Sequence, residues 1–470
     1  MGEFAKHWRR TVRRGRLTLG LVLAVLTMAC TQGRPTGGVR SSDTPPIPQP
    51  THAQLAAAKL AGLPVAPESE RVDIAGPTFS DPTNITNPLF PINDLRSAIL
   101  SGRVDDKPFH TETTLLPETR IIEWAEGEVV KTRVSQYVAY LDGRLQETAL
   151  DFYAQADDGS VWYFGEEVFD YRDGAIFSTE GTWLAGRDGP PAMIMPGDPQ
   201  VGDVHRAENI PGVAFEEVAI TTVGKTVEGP TGPVKGALVG RELHDDGTFS
   251  DKVFAPGYGE FFSAHEGDVE AMALAVPSDA LHGPVPEDLD TLSGEADGVF
   301  QATTSRRWRV ASVGLKELSA AWDHYGKSDV PPRLAREMNG AVASLTAALR
   351  SRHQAPAGTA AIDVAQVARD LRLRYEPPAD IDLARMKLWA RQILVDAGTK
   401  DLGGLTGDVA TLEWTRERIA HTLAKVDVVR IDTHLLALNG SVADEDFEAG
   451  STAAQRLIHT LAGIGSASTR

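Results

Sequence analysis

The sequence has one cysteine in 470 residues, Cys30, so no disulfide within a single chain can stabilise its fold. Beyond that position the chain carries no thiol that an oxidising environment could modify. This scarcity suits a protein that is exported from the cytoplasm.

Recognisable catalytic motifs are absent as well. There is no G-x-S-x-G, no H-E-x-x-H or H-x-H, and no Glu-x-x-His on a predicted helix. The segments AITTVGKT and AAWDHYGKS end like phosphate loops, but Ala219 and Ala321 replace the leading glycine of that motif. Glu417 and His421, four residues apart, are more typical of a surface pair than of a metal site. The sequence therefore predicts no metal, no cofactor and no identifiable catalytic residue.

Positive charge is scarce outside the first 29 residues. The chain has 46 Lys+Arg against 65 Asp+Glu, a formal charge of −19. Six of those cations precede an apolar run over 17–29, a pattern typical of a signal peptide and too short for a confident membrane span. Removing residues 1–29 takes away six cations and one acid, which leaves −24. Such a polyanion is repelled by nucleic acid, so no nucleic-acid partner is expected.

The end of this leader, Leu26-Thr27-Met28-Ala29-Cys30, resembles a bacterial lipobox. The resemblance implies that Cys30 becomes the lipidated, palmitate-bearing N-terminus of the mature chain. The protein would then be extracytoplasmic and anchored to the outer face of the cell membrane. The alternative is a plain signal peptide with an incidental cysteine, and the paired arginines leave the export route open between the general secretory and twin-arginine systems.

Composition divides the rest of the chain. Residues 30–74 are predicted to be a tether, because 31–50 hold five prolines and lack hydrophobic periodicity. A β domain over 75–283, an acidic linker over 284–302 and a helical bundle over 303–470 are predicted to follow. The expected fold is multidomain α+β, with an antiparallel curved sheet or open barrel before an all-α bundle.

The β prediction depends on turns and alternation. Asp142-Gly143, Asp158-Gly159 and Asp173-Gly174 separate β-rich runs, which is a strong hairpin signal. In ETALDFYAQ, apolar and polar residues alternate, which predicts one packed and one amphipathic face. The acidic linker is inferred because prolines and glycines interrupt this acidic segment.

The helical prediction includes one anomaly. Val409, Leu412, Ile419 and Leu423 form an apolar stripe, and Arg416 lies within it. A buried guanidinium needs a carboxylate partner, for which Asp363 or Asp370 is expected. The alternative to such a structural ion network is a polar ligand or cation site between helices.

Four stretches between Asp151 and Glu260 together resemble a known domain. In chain order they are DFYAQADDGSVWYFGEEV, STEGTWLAG, PGDPQVGD and FAPGYGE. That domain is found in uncharacterised secreted and lipid-anchored bacterial proteins. Its recurring elements fall here on Asp151–Gln155, Val161–Glu166 and Ser178–Trp183. The resemblance implies an antiparallel β domain at the bacterial envelope, and it implies no reaction.

The same stretches hold an aromatic and acidic cluster that could line a ligand pocket. Its members are Asp151, Tyr153, Gln155, Trp162, Glu166, Glu180 and Trp183. The tryptophans could instead belong to the core and the acids to turns or edges. As a pocket, the cluster predicts a binding lipoprotein without turnover, whose partner is a small molecule or an envelope protein. The alternative is an extracytoplasmic hydrolase that uses these carboxylates on envelope glycan or ester.

Overall fold

The computed structural model describes residues 46–464, and the predicted signal peptide and lipidated Cys30 lie outside this range. A short helix, α1 (His52–Ala57), begins at Thr51, whose side chain and that of Gln54 form a reciprocal cap. Fourteen strands follow within the described residues. They are β1 (Ser97–Val104), β2 (Lys107–Ala125), β3 (Glu128–Leu141), β4 (Arg144–Gln155), β5 (Val161–Arg172), β6 (Ala175–Ser178), β7 (Trp183–Leu184), β8 (Ala192–Met195), β9 (Val204–Ile210), β10 (Ala214–Gly229), β11 (Gly232–His244), β12 (Phe249–Ala255), β13 (Gly259–His265) and β14 (Asp268–Val276).

The strands form one antiparallel, curved and unclosed sheet, which confirms the predicted β architecture. The strand order is β6-β5-β4-β3-β2-β1-β14-β13-β12-β11-β10-β9, and β7 and β8 pair with β5. Two of the Asp-Gly pairs, at 142–143 and 173–174, connect strands with both residues at positive φ. This is the geometry of type I′ hairpins, whose twist matches that of the flanking strands.

The sheet curls so that distant strands face each other. Leu100 of β1, Tyr153 of β4 and Phe254 of β12 line one cavity, although β4 and β12 are far apart in the strand order. We call this side of the sheet the concave face. The predicted amphipathic face of β4 carries Asp151 and Tyr153, and both are buried, as is Phe152 on the opposite face.

Eight α-helices follow the sheet within the described residues, which confirms the predicted helical region. They are α2 (Glu287–Thr304), α3 (Trp308–Tyr325), α4 (Pro332–Ser351), α5 (Gln354–Arg372), α6 (Pro378–Thr399), α7 (Leu402–Ile419), α8 (Lys425–Ala443) and α9 (Phe447–Ala462). Among residues 46–464, none of these helices combines the length and apolarity needed to cross a membrane.

Helix α2 occupies the segment predicted to be a linker, so that prediction is wrong. Leu289, Leu292 and Val299 of α2 are buried in a core that also includes Ile99 and Leu274 of the sheet. These three apolar residues recur at helical spacing, and this periodicity outweighs the acidic composition and the prolines before the helix. The helical region therefore packs directly on the convex face of the sheet.

Arg416 is not buried, and its predicted partners are wrong. Its side chain is 26% exposed and binds Asp432 of α8 through Nε and Nη2, at 2.7 and 2.8 Å. Asp363 is exposed at the surface of α5, and Asp370 binds Arg385 instead. The predicted stripe holds for Val409, Leu412 and Ile419, but α7 ends at Ile419, so the helical period does not reach Leu423.

A buried ion network does connect helices, and it is centred on other arginines. Arg418 of α7 donates to Glu112 of β2 at 2.6 Å and to Asp382 of α6 at 3.1 Å. Arg385 of α6 reaches Glu112 at 3.2 Å and Asp370 of α5 at 2.5 Å. All five side chains are at most 6% exposed, and Glu112 attaches the network to the sheet.

Candidate functional site

The concave face encloses a small cavity of about 40 Å³, which we call the concave pocket. Its walls are mainly apolar and include Ile92, Leu100, Leu115, Ile194 and Phe254. Thr113, Tyr153 and Glu260 place polar atoms at the same cavity. Apolar walls with a few polar groups are typical of small-molecule sites.

Two buried polar atoms on the concave face have no hydrogen-bond partner among the described residues, and one of them belongs to a residue that lines the pocket. One is Oε1 of Glu260, whose residue is 8% exposed, and the other is the phenolic oxygen of Tyr137, whose residue is 3% exposed. Tyr137 of β3 lies directly opposite Thr113 of β2, on the concave face. A buried polar atom without a partner costs free energy, so native proteins seldom retain one without a reason.

Carboxylates surround Tyr137. Burial raises the pKa of Tyr137 well above its ordinary value, and the negative charges of Glu270, Glu147, Glu260 and Asp151 raise it further. Glu270 accepts a hydrogen bond from Thr111 at 2.6 Å. Burial, and then the nearby charge of Glu260, raise the pKa of Glu270 to about 7. The phenol therefore stays neutral, and the positive charge of Lys252 acts on two of these carboxylates, Glu260 and Glu270.

Four residues of the predicted cluster converge on this face. Asp151 of β4 pairs across the strands with Glu166 of β5, which in turn pairs with Trp183 of β7. Tyr153 stacks on Tyr163 with ring centroids 4.7 Å apart, and the hydroxyl of Tyr163 donates to Asp151 at 2.8 Å. All of these side chains are buried.

A bulge in β5 explains how Glu166 reaches the same side as Tyr163. Asp151 pairs with Glu166 and Tyr153 with Tyr163, so β5 has one more residue than β4 over this stretch. Gly165 permits the bulge, because its φ is +127° and a Cβ there would lie 2.3 Å from the Trp183 carbonyl oxygen. Strict alternation would place Tyr163 and Glu166 on opposite faces.

The other three members of the predicted cluster lie elsewhere. Gln155 accepts hydrogen bonds from the backbone N–H groups of Thr86 and Asn87, at 2.7 and 2.8 Å, and so holds a loop. The indole of Trp162 is buried and donates to Ser160 at 2.8 Å. Glu180 is exposed in the turn between β6 and β7. These residues are structural or solvent-facing.

A second polar group on the far half of the sheet was not predicted. Lys252 of β12 is buried, and its Nζ lies 2.9 Å from Glu242 and 3.8 Å from Glu216. His244 binds Glu216 at 2.9 Å and Ser250 at 2.9 Å. Burial, and then the negative charge of Glu216, raise the pKa of Glu242 to about 7.

The geometry of Glu216, Glu242 and His244 would allow a metal ion to bind. The ammonium group of Lys252 already supplies a positive charge at these carboxylates, so we assign the group to a lysine-centred ion cluster. A second set of potential ligands, His110, Glu337 and Asp370, lies between the sheet and the helices. There Arg385 already binds Asp370.

A wider cavity of about 420 Å³ opens between the β3–β4 turn and helices α4 to α6. Its charged groups include Arg144, which binds Asp396 at 2.5 Å and Asp401 at 3.0 Å. Gln392 also donates to Asp396 at 2.9 Å. Because these groups satisfy one another, the arrangement is that of a junction between the sheet and the helices, and the concave pocket is the stronger candidate site.

Comparison with known proteins adds no function to this geometry. No protein-family model matches the chain, and no curated protein matches it. The resemblance drawn from the three motifs of the β domain therefore stays a prediction.

Proposed function

We propose that this protein is an extracytoplasmic binding protein, tethered to the membrane through Cys30, that holds a small ligand in the concave pocket without converting it. The observation that carries the proposal is an apolar cavity lined in part by Glu260, whose buried Oε1 has no hydrogen-bond partner among the described residues. A ligand that donated a hydrogen bond to this atom would offset the cost of its burial.

The positions of the acids favour binding over hydrolysis. A glycoside hydrolase places two carboxyl groups on opposite sides of the bond that it cleaves. Asp151 and Glu166 are instead neighbours on adjacent strands of one wall, and both are buried. The hydrolase hypothesis therefore has no geometric support at this pair.

The anchor gives a first test. Cys30→Ser should abolish incorporation of labelled fatty acid, because the serine hydroxyl cannot replace the thiol as the acceptor. The mutant should leave the membrane fraction and appear in soluble or unprocessed form, as shown by fractionation and immunoblotting. Equal fatty-acid labelling in the mutant and the wild type would contradict the anchor.

Blocking the pocket tests the binding role. Leu115→Trp adds an indole to the cavity wall, and we expect it to remove the ligand that the wild-type protein retains on purification. Native mass spectrometry of the processed chain, followed by denaturation, would show a small molecule released from the wild type and about tenfold less from the variant.

Ile121→Trp is the matched control, because Ile121 lies on the same strand and is 70% exposed. It should leave the ligand load unchanged, and circular dichroism should show that both variants fold. A wild-type protein that releases no small molecule, or a folded Leu115→Trp variant with the full load, would contradict the proposal.

A further inference from the structure

We propose that Arg369 of α5 and Lys387 of α6 form a binding site for a phosphate monoester, which is either a soluble compound or a lipid headgroup. We call these two residues the cationic pair. The pair lies in the helical region and not at the concave pocket, so this inference does not depend on the proposed binding function. It rests on the missing partners of the pair, on the acids around it and on the packing of its two helices.

The side chains of the cationic pair have no partner of opposite charge. Among residues 46–464, neither the guanidinium of Arg369 nor the ammonium of Lys387 forms an ion pair or a hydrogen bond. The Nε of Arg369 is buried without an acceptor. Gln366, three residues earlier on α5, also has a buried amide nitrogen without an acceptor. Because a buried donor without an acceptor costs free energy, these atoms indicate a ligand that accepts hydrogen bonds.

The acids nearest to the pair are already bound by other arginines. Asp297 of α2 binds Arg391 of α6 through both of its carboxylate oxygens. Glu376 binds Arg372 at 2.5 and 3.0 Å, and Asp290 binds the same guanidinium at 2.5 Å. These acids therefore compensate Arg372 and Arg391 and leave the cationic pair without a direct counterion.

Repulsion between cations adds to the cost of this arrangement. Burial lowers the pKa of Arg369, and the positive charge of Arg372 lowers it further. Burial, and then the charges of Arg369 and Arg391, lower the pKa of Lys387. The nearby acids offset only part of these effects. A bound anion would relieve the repulsion and supply the missing acceptors.

Packing between α5 and α6 holds the pair in place. A Cβ on Gly358 of α5 would lie 3.1 Å from the side chain of Val395 of α6, so the two helices are in close contact there. Asp370 of α5 binds Arg385 of α6 at 2.5 Å, near the other end of this contact. The pair lies between these two contacts along both helices. Two rigid, antiparallel helices therefore present the two cations, which lowers the entropy cost of binding.

A phosphate monoester matches these donors in charge and in number of acceptors. It carries about −1.5 to −2 charges at pH 7 and three strong acceptor oxygens. A guanidinium binds two such oxygens in its planar fork, and an ammonium binds a further oxygen as a point charge. A carboxylate has one charge and two oxygens, so it should bind more weakly. Positive charge without a partner is also unexpected in a chain whose formal charge is −19.

The test uses the full chain with Cys30→Ser, which lacks the proposed anchor. Phenyl phosphate and benzoate, which share a ring and differ in the anion, are each titrated by calorimetry. We expect phenyl phosphate to bind about tenfold or more tightly than benzoate. It should also raise the melting temperature, because a ligand of the folded state stabilises it. Cosedimentation with phosphatidylcholine vesicles, with and without phosphatidic acid, tests the lipid headgroup.

Two variants in the same chain test the named contacts. Arg369→Met and Lys387→Met keep an apolar stem and remove the charge, and each should weaken phosphate binding about tenfold or more. Without ligand, each variant should melt at the same or a higher temperature, because repulsion between the cations is reduced. A cation with a merely structural role would show the reverse, a lower melting temperature and unchanged binding.

Arg350→Met is the matched control, since Arg350 is an exposed arginine on α4 and should leave binding unchanged. If only phenyl phosphate binds, the ligand is a soluble compound, and if only phosphatidic acid vesicles bind, it is a lipid headgroup. Binding of neither probe, or binding that survives in both Arg369→Met and Lys387→Met, would overturn the inference. The ligand load of Leu115→Trp reports on the concave pocket alone, so either proposal can fail without the other.

Discussion

Replacing Arg418 with methionine is expected to lower the free energy of unfolding by about 3–5 kcal/mol. Arg418 is 2% exposed and satisfies Glu112 of the sheet and Asp382 of α6 at once. Methionine fills a similar volume, but it leaves both carboxylates with less positive charge in a buried environment. Arg385 remains and still contacts both acids, at 3.2 Å in each case. Urea denaturation of the wild type and the variant would measure the loss.

Arg416→Met is the matched control, two residues away on the same helix. Arg416 also binds a carboxylate, but its side chain is 26% exposed and that of Asp432 is 45% exposed. Exposed ion pairs contribute about 0–1 kcal/mol, so this variant should unfold almost as the wild type does. A larger loss for Arg416→Met than for Arg418→Met would mean that the burial assigned to α7 is wrong.

Replacing Lys252 with methionine is expected to destabilise the fold by a similar amount, about 3–5 kcal/mol at neutral or higher pH. The ammonium group of Lys252 is the partner of Glu242 and lies near Glu216, and all three side chains are at most 4% exposed. The burial that lowers a lysine's pKa is outweighed here by Glu242, Glu260 and Glu216, so the pKa of Lys252 is raised well above its ordinary value and the lysine stays charged.

The stability that Lys252→Met loses should increase with pH. The pKa of Glu242 in the folded protein is about 7, above its ordinary value of 4.5, because of burial first and then Glu216. Between those values the folded state binds more protons than the unfolded state, so stability falls as pH rises from about 4.5 to 7. Without Lys252 the folded pKa rises further, and the variant should lose more stability at pH 8 than at pH 5.

Lys131→Met is a suitable control, since Lys131 is exposed on β3 and should show no such pH dependence. Denaturation curves of the wild type and both variants at pH 5 and pH 8 would measure this pH dependence. A Lys252→Met variant that is equally destabilised at both would show that Glu242 and Glu216 do not depend on the lysine.

Local features of the chain could be predicted from the sequence. An Asp-Gly pair fixes its own turn, so the hairpins at 142–143 and 173–174 follow from adjacent residues alone. Leu289, Leu292 and Val299 also recur at helical spacing. This local pattern predicts the helix correctly, whereas the acidic residues and prolines around it suggest a linker.

The positions of the candidate site residues depend on contacts between distant parts of the chain. Tyr137, Glu260 and Glu270 are brought together by the order of β3, β13 and β14 in the sheet, and no spacing in the sequence encodes that order. Glu166 lies beside Asp151 because β5 bulges at Gly165, which strict alternation does not predict. The burial of Arg418 and the partial exposure of Arg416 could not be predicted for the same reason, since an apolar stripe on one helix does not show where its neighbouring helices lie.

Strand β2 presents its alternate residues to two different parts of the molecule. Thr113 and Leu115 line the concave pocket, whereas Glu112, between Thr111 and Thr113, binds Arg385 and Arg418 of the helices. A ligand that pushed β2 by a fraction of an ångström would therefore also strain the ion network behind it. The pocket and the helical region are therefore in contact through the thickness of a single strand. A truncation that removed the helices would expose the reverse side of the pocket wall to water, and Glu112 would lose both of its arginine partners.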